Sequence, residues 1–219
     1  VFETINDYCM TTNNHRMTIG LVAAYGKIIP QEILDKFNGQ IYNIHPSLLP
    51  KYRGPSPLQQ QILDGVTETG VTLFQLDAQM DHGPIVAQEK DTILPDDTWI
   101  SLGNRLFEKG ADLVLSSQFS VLSQNPIPQD HSRTTYTQKI TRQDGFVSWE
   151  DFNFQLSIIN SQLSQKLRAF WDWPGVWTTT ADGKRLKLVA LKPEIIVQPE
   201  GKSPLPWSQY LSTTVSSSK

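Results

Sequence analysis

Asn43 and His45 stand two residues apart in the run Y-N-I-H-P-S-L-L-P-K-Y-R-G-P-S-P-L of residues 42–58, and a second polar segment, L-D-A-Q-M-D-H-G-P, follows at 76–84. Alternate residues of a strand share a face. A strand at 40–45 therefore projects an amide and an imidazole together from its C-terminal end, where open α/β sheets place their ligands. Asp81 falls in a loop closed by Gly83 and Pro84. A carboxylate there can orient the imidazole and stabilise its protonated form. An amide donor, a titratable ring and a carboxylate are the parts that acyl transfer needs: one for a developing oxyanion, two for proton movement. An Asn-x-His pair alone is weak evidence for any of this.

The N-I-H-P-S-L-L-P run, with an L-D-x-x-x-D-x-G-P loop whose second Asp lies 38 residues after Asn43, resembles the 10-formyltetrahydrofolate-dependent formyltransferases. Three further stretches, A-Y-G-K-I-I-P at 24–30, T-Y-T-Q-K-I at 135–140 and R-A-F-W-D-W-P-G-V-W at 168–177, resemble the methionyl-tRNA branch of that family. The resemblance implies that Asn43, His45 and Asp81 are catalytic, with 10-formyltetrahydrofolate as formyl donor and initiator methionyl-tRNA as acceptor. It also implies folate contacts from Ser47, Leu48, Leu49 and Pro50 and from Lys27, Ile28 and Ile29. Formyl transfer to a sugar-nucleotide amine, hydrolysis of the donor and a non-catalytic remnant are the rival readings.

Each of these residues has a plainer reading. Ile28 and Ile29 are equally suited to a core, and Asp77 to capping its own loop. Lys51 and Arg53 could meet a folate glutamate or a tRNA phosphate, or could be ordinary exposed turn residues. His82 is read as facing solvent. Trp171, Trp173, Pro174 and Trp177 read as core packing. A metal held by His45, Asp81 and His82 is conceivable, but no spaced third ligand type supports it, and no metal is expected.

The elements that must position the site follow from apolar patterning. Residues 17–23, 40–45, 71–76 and 85–91 read as strands, and 30–37, 55–65 and 98–122 as helices, the last with apolar residues at three- and four-residue spacing. Pro55 and Gly65 bracket the second helix. The fold class expected is an open, mostly parallel α/β sheet of formyltransferase type whose first βαβ unit is missing, followed by the start of a small β-barrel-like domain. The boundaries expected are a catalytic domain at 1–123, a linker at 124–145 that opens with a Pro/Gln/Asn-rich stretch at 124–132, and a C-terminal domain with its tail at 146–219. Within the last, a helix at 152–170 and a hairpin of 176–180 with 185–191 are expected, and the polar tail 203–219 should be loosely ordered. Against the family the chain looks truncated at both ends.

Composition sets wider bounds. The chain has 219 residues, 38% of them hydrophobic, and no apolar run near a membrane span. Cys9 is the sole cysteine, which excludes an internal disulfide framework. No signal peptide is evident, so a cytoplasmic location is expected, with an organellar one the alternative because the N-terminus looks to be missing; a monomer is a separate expectation. Residues 1–132 hold 8 Lys and Arg against 15 Asp and Glu, a formal −7, whereas 133–219 hold 11 against 7, a formal +4. A basic C-terminal part beside an acidic catalytic part could meet a phosphate backbone on one side.

Overall fold

The computed structural model describes residues 19–25, 29–116, 124–158 and 161–216. The expectations for Cys9, for 17–18 of the first strand, for Lys27 and Ile28, and for 117–122 of the long helix lie outside these residues.

The first sheet has the order β1-β2-β3-β4. Its strands are β1 (Gly20–Ala23), β2 (Ile41–His45), β3 (Glu68–Gln75) and β4 (Ile85–Thr92). Among them only β1 and β2 pair in parallel; β2–β3 and β3–β4 are antiparallel. A strand buried on both faces reads as a continuous apolar run whatever its neighbours' direction. That is why G-V-T-L-F in β3, with Val71, Leu73 and Phe74 fully buried, resembles a parallel strand in sequence.

Helix α1 (Gln31–Lys36) joins β1 to β2, and α2 (Pro57–Leu63) follows the site turn. Proline at the first position of α2 and Gly65 at φ +66 just beyond its end set its limits. Helix α3 (Trp99–Leu115) begins at a Thr98–Ser101 capping box. It lays Leu102, Leu106 and Gly110 on the sheet, closing a core with Tyr42, Ile44, Leu58, Ile62, Val71 and Leu73. Gly110 permits that approach, since a Cβ there would run into Cγ2 of Ile44 and lie 3.1 Å from Cγ2 of Val71.

A second core surrounds the antiparallel sheet β5 (Val176–Thr179), β6 (Arg185–Ala190), β7 (Ile196–Pro199) and β8 (Leu205–Pro206). Helices α4 (Trp149–Ile158) and α5 (Ser161–Ala169) occupy the span expected as one helix, on either side of 159–160, which are not among the described residues. The expected hairpin is extended by two more strands.

The tail is a correction. Residues 207–216 form helix α6 (Trp207–Ser216). Trp207 packs against Phe152, Trp149 and Tyr210, and two aromatic side chains bury enough surface to order a segment that is otherwise polar. The tryptophan-rich stretch also differs from a core. Trp171 and Trp173 are 43% and 51% exposed, while Trp177 sits edge-on to Phe146 beneath the Arg185 guanidinium.

Candidate active site

Strand β2 presents Asn43 and His45 from one face and turns Ile44 towards α3. The chain then doubles back through Pro46–Pro50. His45 is 4% exposed and its ring lies edge-on to Phe74. Its Nε2 is 2.9 Å from the carbonyl oxygen of Tyr52. A carbonyl only accepts, so Nε2 carries the proton. Nδ1 faces Oδ2 of Asp81 at 3.7 Å. That is beyond a direct hydrogen bond and within close electrostatic range.

Asp81 is held from the other side. Its Oδ2 accepts from the backbone N–H of Gly54 at 2.7 Å, and its backbone is in the left-handed region at φ +50. Tyr52, also left-handed at φ +60, carries a phenol pushed up to about 12 by burial and by its hydrogen bond to Asp64. The turn that supplies both the Tyr52 carbonyl and the Gly54 amide is pinned by the Tyr52 N–H, which donates to Thr135 Oγ1 at 2.8 Å.

Asn43, His45 and Asp81 line a single cleft of about 370 Å³. Its walls are mainly apolar, with Val22, Ile29, Leu58, Leu76, Trp99 and Phe107 among them. Among the described residues no protein group hydrogen-bonds the Asn43 side-chain amide. An amide, a ring nitrogen and a carboxylate thus line one mainly apolar cleft, the layout of a small-molecule site with a few orienting polar groups.

The other sequence candidates divide. Ile29 lines the cleft. Ser47, Leu48, Leu49 and Pro50 are not among its lining residues. Ser47 is fully buried and its hydroxyl donates to the Lys51 carbonyl. Leu49 is engaged at both ends of its backbone, with Thr72 Oγ1 accepting from its N–H and Gln88 Nε2 donating to its carbonyl. These residues shape the turn from behind. Asp77 borders the cleft, yet its carboxylate is taken by His82 Nδ1 at 2.6 Å and by the Gln79 N–H at 2.9 Å.

Two expectations are corrected. His82 is half-buried, paired with Asp77 and stacked on His131 at 4.2 Å, because the segment after residue 124 crosses this loop. Arg53 is not a surface turn residue. It is 1% exposed, and its guanidinium donates to Oε1 of Gln129 and to Nδ1 of His131. Sequence reasoning missed Trp99 and Phe107, whose place in an amphipathic helix looked like core alone. It missed Gln129 for want of any local signal.

Residues 7–117 match the Formyl transferase family. The chain belongs to that family. It is 41% identical over 87% of its length to a methionyl-tRNA formyltransferase of Roseiflexus castenholzii, covering 59% of that relative. The chain spans between half and three-fifths of the curated relatives it matches. Two solved structures share the fold. HypX from Aquifex aeolicus in complex with tetrahydrofolic acid has a TM-score of 0.65 and 20% identity over 87% of this chain and 38% of that one. Methionyl-tRNA formyltransferase from Clostridium thermocellum has 0.58 and 20%, over 85% and 78%. Among the described residues no helix is long and apolar enough to cross a membrane, and no cluster of His, Cys, Asp and Glu could hold a metal.

Proposed function

We propose that the full-length protein transfers the formyl group of 10-formyltetrahydrofolate to the α-amino group of initiator methionyl-tRNA. The observation that carries this reading is the convergence of Asn43, His45 and Asp81 on one apolar-walled cleft. The curated relatives named methionyl-tRNA formyltransferase support the choice of acceptor, and the tetrahydrofolate complex of HypX supports the choice of donor. The faces of the donor's rings suit walls made of Val22, Ile29, Leu58 and Phe107.

The amine lone pair attacks the formyl carbon, whose carbonyl electrons move onto oxygen. The Asn43 side-chain amide donates to that oxyanion, a contact that strengthens as charge develops. The bond from the formyl carbon to N10 then breaks, the nitrogen that attacked loses a proton, and N10 gains one. With Nε2 of His45 committed to the Tyr52 carbonyl, proton relay runs through Nδ1, and Asp81 steadies the doubly protonated ring. No acyl-enzyme is needed. The basic part of the chain, +4 over residues 133–219, is the side we assign to the tRNA backbone.

The test incubates the full-length protein with 10-formyltetrahydrofolate and charged initiator tRNA and quantifies formylmethionyl-tRNA. A protein that only hydrolyses the donor, or formylates an amino-sugar nucleotide and leaves the tRNA untouched, overturns the assignment of substrate.

A further inference from the structure

We propose that Gln129 is a positioning residue of this site, locking the Asp81 loop to the Tyr52–Gly54 turn so that the carboxylate stays opposite His45. The inference rests on the formyl-transfer reading above for its consequence, though not for its geometry.

Gln129 is 5% exposed and its side chain is fully used. Nε2 donates to the carbonyls of Asp81 at 2.9 Å and Gly83 at 2.7 Å. Oε1 accepts from Nε and Nη2 of Arg53 at 3.2 and 2.6 Å. A primary amide has two N–H donors and two acceptor lone pairs. Both ends are therefore saturated, and each end holds a different half of the site.

Those two halves carry the restraints that set the His45–Asp81 distance. The Tyr52 carbonyl fixes the imidazole and the Gly54 amide fixes the carboxylate. Asp81 is a non-glycine residue at φ +50, a conformation that its surroundings must over-determine if it is to persist. The two bonds from Gln129 to the carbonyls of Asp81 and Gly83 do this from outside the loop.

Gln129 is itself held on both sides. Ile127 exchanges backbone hydrogen bonds with Ile85 at 2.7 Å each. Further on, the Arg53 N–H donates to the Thr135 carbonyl at 2.9 Å and the Thr137 N–H to the Arg53 carbonyl at 2.7 Å. The stretch expected as a linker is thus laid across the catalytic unit, with one side chain inserted between the two catalytic loops. Leucine at 129 would leave the Asp81 and Gly83 carbonyls and the Arg53 guanidinium without these partners. Glutamate would still accept from Arg53, and would turn an oxygen towards two carbonyl oxygens.

The experiment compares full-length wild type with Q129L, Q129E, D81N and Q129L/D81N. It reads kcat and the folate KM, thermal unfolding, and amide hydrogen exchange at Gly54, whose N–H is held by Asp81. Positioning predicts that Q129L and Q129E lower kcat by about 10–100-fold, the scale of a small misplacement at a reacting centre, with folate KM little changed. It also predicts that Q129L removes little further activity once the Asp81 carboxylate has been replaced by an amide. Q129E keeps a partner for Arg53, so its unfolding temperature should fall less than that of Q129L while its kcat falls as far. An equal loss of kcat from Q129L in both backgrounds overturns the proposal, as does Gly54 exchange unchanged in folded Q129E. Faster Gly54 exchange in a protein that formylates no tRNA keeps the positioning role and removes the substrate reading instead.

Discussion

The carbonyl oxygen of Tyr52 lies 2.9 Å from Nε2 of His45, seven residues earlier in the chain. This single bond fixes which ring nitrogen is free. It holds the proton on Nε2 and turns Nδ1 towards Asp81 and the cleft, so a proton taken up by the neutral ring is taken up at Nδ1. The tight turn between Pro46 and Gly54 therefore selects a tautomer, and it does so with backbone alone.

Asp81→Asn should lower kcat by about 10²–10⁴-fold, the usual worth of general acid–base assistance, with the folate KM nearly unchanged. The amide oxygen can still accept from Gly54, so the loop keeps its place and only the charge opposite Nδ1 is removed. Steady-state kinetics on the full-length protein measures both constants. A large rise in KM at constant kcat would instead make Asp81 a binding residue.

Asn43→Ala should lower kcat by about 10²–10³-fold, the range for loss of one oxyanion donor. An interaction formed mainly in the transition state leaves ground-state affinity alone, so equilibrium folate binding should stay close to wild type. Loss of folate binding with kcat retained would transfer Asn43 from chemistry to recognition.

The parts of this site that lie close together in sequence were legible in it. Asn43 and His45 announce a strand face by their spacing, and Asp81 announces a loop by the Gly-Pro that follows it. The antiparallel direction of β3 was not legible, because double burial writes the same apolar run in either direction. Nor was the burial of Arg53, whose partners Gln129 and His131 lie 76 and 78 residues away. A turn sequence says nothing about the segment that will later cover it. The tail was misjudged for a related reason. Its average polarity is high, yet Leu205 and Pro206 pair with β7 and Trp207 and Tyr210 pack on the second core, and averages hide anchors.

Gly110→Ala should destabilise the fold even though alanine favours a helix by about 1 kcal/mol over glycine. The added methyl runs into Ile44, the residue between Asn43 and His45, and crowds Val71. Overpacking of this kind costs about 1–3 kcal/mol, and it wins because β2 is held on both sides and cannot retreat. The thermal midpoint should fall by a few degrees, about 2–4 °C per kcal/mol at this chain length. A midpoint that rises would mean that α3 can lift from the sheet without loss.

Acid should weaken the junction between β4 and α3 through Asp97. Burial pushes the Asp97 carboxyl up, but the Arg105 guanidinium, the Leu94 N–H and the Ser101 hydroxyl together outweigh it and hold the group below the usual carboxylate range. Arg105 bridges Asp97 at 2.6 Å and Asp91 at 3.0 Å. A carboxyl whose folded value is depressed stabilises the fold fully above its unfolded value, about 4. That stabilisation is lost as pH falls from there through the folded value. Unfolding midpoints measured from pH 7 down to pH 3 should therefore drop for wild type. Asp97→Asn should start lower at pH 7 by about 1–2 kcal/mol, between the worth of an exposed pair and that of a buried one, because the Arg105 side chain is 28% exposed and keeps Asp91. Its midpoint should also vary less with pH below 5. Profiles of wild type and of the D97N variant that run parallel down to pH 3 would show that the charge on Asp97 carries none of the acid sensitivity.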